Sequence, residues 1–396
     1  ECVCVERERR TLVTDRERKM IETVLQTFLW ALGIFVLFVV ASTSHGFLCA
    51  AWDKFRGRSK GVSSPPDRLS KPVRFLNLIG WTPMVDLSAL SPRPDVKIYA
   101  KAEFMNPGLS VKDRIVQHIF NKAQHQNLLQ DGSQVVAATS GNTGASVAMI
   151  SAVRGYPATL VTNEKCSDEK VNTLRAFGAD VVVTPGGLPA DHPDHYGNKA
   201  RTIAEEMPGK VYDVNQYDNP WNPEAHCLTL ADEIWSQTEG SVTHFVAAGS
   251  TGGTISGVGK GLKERSNGGV RVVLADPVGS IFSHYYKTGE LVENAPFLVE
   301  GVGKDSIPGA MDFSIVDETL QFSDSEAFSM CHKLAKCEGL MVGGSAGGNV
   351  FAAVEVAKRV RGPAVITTIL CDHGIKYLSK IYNPQWLQKN GIVIQA

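Results

Sequence analysis

From Val73 onward, short β-branched apolar runs alternate with longer amphipathic stretches. The runs at 96–104, 133–140, 158–163, 180–185, 244–250, 271–277 and 364–370 read as buried strands. Amphipathic stretches at 111–127, 143–154, 167–177, 198–206, 223–238, 254–265, 324–338 and 346–360 read as helices between them. Strictly alternating strands and helices predict an α/β fold with parallel sheets covered on both faces. In such sheets ligands sit beyond the carboxyl ends of the strands. The polar and glycine-rich loops that follow strands are therefore the places to search for chemistry.

The front of the chain breaks this pattern. Residues 1–19 are dense in both signs of charge, and then no formal charge occurs from Thr23 to Trp52. The stretch VLQTFLWALGIFVLFVV from Val24 to Val40 approaches the ~20 apolar residues that a membrane-crossing helix needs. A single-pass membrane anchor at about 21–41 is the expectation, with a secretory signal or another targeting segment as rivals. Basic residues flank both ends (Arg16, Arg18 and Lys19 before; Lys54, Arg56 and Arg58 after), so orientation stays open. A linker rich in Ser, Pro and basic residues follows, which makes 1–71 a tail and 72–396 the folded domain.

Composition narrows the partners. Forty Lys and Arg against 41 Asp and Glu give a net charge of −1, which speaks against nucleic acid as the main partner. The eight cysteines make no pair or Cys/His cluster with zinc spacing, so no metal site is expected. They read as free thiols in a reducing compartment, with the domain facing the cytosol or associated with a mitochondrial membrane.

Four loops stand at the mouths of predicted strands or the starts of predicted helices. NPGLSVKDR (106–114) pairs Ser110 with Asp113 as a capping box, which places Lys112 in the first turn of a helix. The positive end of the helix dipole disfavours its ammonium form, and a partly neutral lysine suits Schiff-base chemistry. TSGNTG (139–144) offers helix-start amides with the hydroxyls of Ser140 and Thr143 as a carboxylate site. GSTGGT (249–254) offers backbone donors for a phosphate, without the spacing of a P-loop or of GxGxxG. GGSAGG (343–348) presents Ser345, and EGVG (300–303) reads as a gate of small residues.

In this order the loops resemble those of the fold-type II pyridoxal-phosphate enzymes, and most closely the cysteine synthase / cystathionine β-synthase family. The resemblance covers roughly 72–388 and includes NEKCSDEKVNTLRAFGADVVVTP and NQYDNPWNPEAH. It implies two open parallel-sheet subdomains with the cofactor between them. The smaller and mobile one is expected at about 106–218, set into a larger one built from 72–105 and 219–396. It also implies a homodimer. Lys112 is implied to carry the cofactor and move the α-proton, and Asn142 to bond its ring oxygen. Ser250, Thr251, Gly252, Gly253 and Thr254 are implied to cup the phosphate, with Ser345 facing the pyridine nitrogen. Thr139, Ser140, Gly141, Thr143, Gln216 and Gly301 are implied on the amino-acid substrate. A serine at the ring nitrogen makes a weaker electron sink, which suits β-elimination followed by addition of a thiol.

Departures from the family pattern are Ser250 and Leu109, both at places often occupied by Gly, and CDHGIKYLSKIYN (371–383), where many relatives carry a Pro-Asp-Ser version. Two activities share the machinery. Cysteine synthase joins O-acetylserine and sulfide; cystathionine β-synthase joins serine and homocysteine. VEGVGKDSIP resembles the second group in Asp305 but carries Lys304 where an aromatic residue is common. A haem-binding Cys/His segment is not recognisable ahead of the core, and regulatory nucleotide-binding domains are not expected after it. Cysteine synthase is the first expectation and cystathionine β-synthase the second. Related β-replacement, desulfhydrase or dehydratase reactions come after them, and a membrane-tethered, non-catalytic interaction domain of the same fold is the alternative from another class.

Overall fold

The computed structural model describes residues 72–395 apart from 140, 165 and 190. The segment 21–41 read as a membrane anchor lies outside the described residues. Among the described residues no helix is long and apolar enough to cross a membrane.

Ten strands are present among the described residues: β1 (Met84–Asp86), β2 (Val96–Ala102), β3 (Gln134–Ala138), β4 (Ala158–Asn163), β5 (Asp180–Thr184), β6 (Val211–Asp213), β7 (His244–Ala248), β8 (Arg271–Pro277), β9 (Glu318–Phe322) and β10 (Ala364–Leu370). They form a six-stranded sheet in the order β1-β2-β10-β7-β8-β9 and a four-stranded sheet in the order β5-β4-β3-β6. The smaller sheet lies between β2 and β7 in the chain and falls within residues 106–218.

The expectation of wholly parallel sheets needs one correction, because β1 runs antiparallel to β2. Its connection, Leu87 to Asp95, is too short for the crossover that a parallel neighbour requires. A second correction concerns the helix expected over 223–238. It is two helices, Trp221–Leu228 and Leu230–Gln237, broken at Thr229 with φ −120° and ψ −68°. The Thr229 hydroxyl donates to the Ala225 carbonyl at 2.7 Å and so competes with the helical ladder.

Each sheet has its own core. The helix Lys112–His125 buries Ile115, Val116, Ile119, Phe120 and Ala123, the spacing of one helical face, against Val135 and Val147 of the smaller unit. Full burial of one such side chain is worth roughly 1.5–3 kcal/mol, so this face fixes where the helix begins. In the larger unit, Asn349 on the helix Gly344–Arg359 is fully buried. Its Oδ1 accepts from the Ala248 amide at 2.7 Å and its Nδ2 donates to the Ile369 carbonyl at 2.8 Å. These bonds hold together the carboxyl ends of β7 and β10, where the next residues become the walls of a cavity.

Candidate active site

The loops that follow β3, β6, β7 and β10 converge on one cavity of about 270 Å³. From the smaller unit come Thr139, Gly141, Asn142, Thr143 and Gln216; from the larger come Ser250, Thr251, Gly252, Thr254, Gly301 and Ser345. Lys112 lines the same space. Gly253 is not among the lining residues. It opens the helix Gly253–Arg265 and faces Asn222, where a Cβ would stand 1.9 Å from Oδ1. Ser140 lies outside the described residues. Among the described residues Cys227, Cys331, Cys337 and Cys371 are free thiols, and of these only Cys371 reaches the cavity wall.

Lys112 is the first residue of its helix, as the loop sequence implies, but the expected capping box does not form. Val111 is the N-cap and no side chain caps the helix. The Asp113 carboxylate turns back instead, accepting from the Gly108 amide and from the Ser146 hydroxyl, each at 2.5 Å. The Asn106–Leu109 turn presents the Gly108 amide, and the helix Asn142–Arg154 presents the Ser146 hydroxyl. Burial holds the Lys112 amine below its ordinary pKa, which increases the fraction available as a nucleophile. Among the described residues no hydrogen bond or ion pair engages its Nζ. Leu109 takes φ +59°, the left-handed region, which accounts for glycine being common there.

Burial also raises Asp113, to about 6 from 3.8. A carboxyl whose folded pKa is raised contributes stability that is full below about pH 4 and is lost as pH rises through 6. Asp113→Asn cannot ionise, so its stability relative to wild type should improve by roughly 2–3 kcal/mol between pH 4 and pH 7.5. Urea unfolding of the cofactor-free protein at both pH values checks this; a difference that does not move with pH contradicts it.

Asn142 opens the helix Asn142–Arg154 after β3. Its Nδ2 donates to Asp372 Oδ2 at 2.7 Å, and its Oδ1 accepts from Lys376 Nζ at 2.7 Å. Beside it the Thr143 hydroxyl donates to Gln216 Oε1 at 2.6 Å, and Gln216 Nε2 donates to the Ala138 carbonyl at 3.2 Å. The Thr139 hydroxyl accepts from the Gly144 amide at 2.9 Å. Hydroxyls, amides and one carboxamide thus face the cavity as a neutral, donor-rich set that suits a carboxylate.

Across the cavity, Gly252 has φ +81°, and a Cβ on it would meet Met311 Cβ at 2.5 Å. Conformation and space both require glycine, and they bring the main chain close to whatever fills the cradle. The first-turn amides of the helix that follows have no intrahelical partners. The Thr254 hydroxyl lies 3.1 Å from His226 Nε2. Burial drives His226 well below the ordinary imidazole pKa, so the ring is neutral. Ser345, buried in the first turn of its helix, lines the cavity with Cys371, whose thiol is pushed up to about 11 by burial. Cys371 is therefore a neutral wall rather than a thiolate nucleophile.

Sequence reasoning missed several lining residues: Tyr196, Tyr217, Lys304 as a wall, Asn349 and Tyr377; Glu300 lines the cavity beside Gly301 of the EGVG loop. Lys304 Nζ stands 4.8 Å from the centre of the Tyr217 ring and 3.5 Å from Asp305. Glu300 pairs with Lys170 and Lys380. The one available signal was NQY, which places Tyr217 beside Gln216.

A lysine amine of lowered pKa, a glycine-required cradle at a helix N-terminus and a neutral hydroxyl opposite fit pyridoxal 5'-phosphate. The description "Pyridoxal-phosphate dependent enzyme" matches residues 75–372, and the chain belongs to that family of enzymes. Within it, the chain belongs with the cysteine synthase and cystathionine β-synthase group. It is 38% identical over 321 residues to the cystathionine beta-synthase of Apis mellifera, covering 81% of this chain and 63% of that one. It is 37% identical to cysteine synthase 1 of Neurospora crassa, covering 80% of this chain and 84% of that one. A solved structure of O-ureido-L-serine synthase superposes with a TM-score of 0.72 at 33% identity, covering 79% of this chain and 96% of that one.

Proposed function

We propose that the protein catalyses β-replacement on a serine derivative, and that the reaction is cysteine synthase: O-acetylserine and sulfide to cysteine and acetate. The observation that carries the reading is a single cavity that holds an amine of lowered pKa, a phosphate cradle and a carboxylate cradle together. Bound pyridoxal 5'-phosphate supplies an electron sink for the substrate's α-carbon. Lys112 holds the cofactor, Asn142 bonds its ring oxygen, the 250–254 backbone holds its phosphate and Ser345 meets its ring nitrogen. Thr139, Ser140, Gly141, Thr143 and Gln216 orient the substrate carboxylate, with Gly301 closing the wall. Lys112 takes the α-proton, acetate leaves Cβ with its bonding electrons, hydrosulfide forms the new C–S bond, and Lys112 returns the proton to Cα.

Lys304 supports the choice of sulfide, because a cation on the cavity wall raises the local concentration of an anionic nucleophile. Asp305 and the similarity to the honeybee cystathionine beta-synthase favour a second reading, serine with homocysteine. Visible spectra of the cofactor-loaded protein separate the two. A long-lived new band on adding O-acetylserine, discharged by sulfide, is the expected result. A response to serine that needs homocysteine to turn over replaces it with the second reading.

A further inference from the structure

We propose that Lys376 and Asp372 are positioning residues that lock the Asn142 carboxamide in one orientation and so present a single N–H to the cofactor's ring oxygen. The inference rests on the site assignment above but not on the choice of substrate.

The orientation of a buried carboxamide is ordinarily ambiguous, because oxygen and nitrogen differ little in size. Here both ends are specified chemically. An ammonium only donates, and Lys376 Nζ lies 2.7 Å from Asn142 Oδ1. A carboxylate only accepts, and Asp372 Oδ2 lies 2.7 Å from Asn142 Nδ2. A flipped carboxamide would set N–H against ammonium and oxygen against carboxylate at the same distances. One Nδ2 hydrogen is spent on Asp372, which leaves one N–H for the cavity that Asn142 lines.

The clamp is itself rigid. Lys376 Nζ also reaches the carbonyls of Gly108 at 3.1 Å and Leu109 at 3.4 Å, so its donors tie the lysine loop to Asn142. Those carbonyls belong to the turn that carries the left-handed Leu109. Asp372 is fully buried, and its Oδ2 accepts a second bond from the Tyr377 hydroxyl at 2.7 Å. Among the described residues its Oδ1 has no partner, and it fills the space beside Gly343, where a Cβ would stand 2.1 Å away. Burying a carboxylate with one oxygen unsatisfied costs free energy, and what this one achieves here is the hold on Asn142 and Tyr377. The clamp also crosses between the two units: Asn142 follows β3 of the small sheet, whereas Asp372 and Lys376 follow β10 of the large one.

A residue that acts through Asn142 has nothing left to act on once that carboxamide is gone, so a double-mutant cycle on cofactor affinity is decisive. The readouts are the dissociation constant of pyridoxal phosphate by equilibrium dialysis and the position of its visible band. Lys376→Met and Asn142→Ala should each weaken binding about tenfold and shift the band. The double variant should be no weaker than Asn142→Ala alone, and Lys376→Arg should retain the wild-type band. Losses that multiply in the double variant, or a Lys376→Met protein with unchanged band and affinity, overturn the proposal. If Lys376→Met does not fold, Asp372→Ala with Asn142→Ala makes the same cycle. Failure to turn over O-acetylserine and sulfide would refute the substrate reading and leave the cycle interpretable, since its readout is binding.

Discussion

Lys112→Ala should leave the protein folded yet without the visible band of bound cofactor, and should lower turnover by at least ~10²–10⁴-fold, the range of a lost acid–base group. Borohydride treatment followed by peptide mass analysis should find the cofactor attached to the 112 peptide in wild type and nowhere in the variant. The effect is large because Lys112 has two separate jobs at one atom: attachment of the cofactor and transfer of the α-proton. Its lowered pKa comes first from burial, so the amine is available for attachment without help from a neighbouring base. Among the described residues no other amine or thiol of the cavity wall stands ready to replace it. Lys304 is occupied at Tyr217 and Asp305, and Cys371 is held as a neutral thiol. A retained band in the variant would remove Lys112 from the mechanism.

Arg114→Met should destabilise the protein by about 3–5 kcal/mol, the cost of orphaning buried charge. Two residues beyond Lys112, Arg114 bonds Glu103 at 2.6 Å and Glu233 at 2.6 Å; Lys101 bonds Glu233 at 2.8 Å. All four are nearly or fully buried. Against the upward push of burial, Arg114 and Lys101 pull Glu233 down to about 2. Removing the guanidinium leaves Glu103 without its charged partner and Glu233 with Lys101 alone. At ~2–4 °C per kcal/mol for a domain of this size, the unfolding midpoint should fall by roughly ten degrees. Adding Glu103→Gln should recover part of the loss, because it removes the orphaned anion. A fall of only one or two degrees would mean that the cluster is dispensable. The cluster also ties the start of the Lys112 helix to β2 and to the helix Leu230–Gln237. The variant's cofactor affinity should therefore fall along with its stability.

Much of the fold was legible along the chain. Each of the seven predicted strands corresponds to an observed one, because buried parallel strands are continuous β-branched runs. The three that escaped have identifiable reasons. β1 and β6 are three residues long, too short for any period to emerge. β9, ETLQF, carries polar residues at three of its five positions and reads as surface. The helix Phe282–Thr288 is likewise too short for an apolar stripe. The loops of the site were legible because a parallel sheet sends strand-following loops to one edge. Adjacent glycines look alike in sequence, yet Gly252 lines the cavity and the Cα of Gly253 packs on Asn222.

By itself the sequence determined the chemical inventory: one lysine at the start of an amphipathic helix, two small-residue loops after strands, and a serine where a carboxylate could have stood. Those are properties of neighbours within a few residues, and local periodicity exposes them. Only the tertiary structure decided the partners. Asn142 meets Asp372 across 230 positions, and Arg114 meets Glu233 across 119. Which charges lose water, and therefore which pKa values move, depends on what packs around them from distant parts of the chain. That is why Lys101, Glu103, Arg114 and Glu233 look like ordinary surface charges in sequence and are the buried support of Lys112 in the fold.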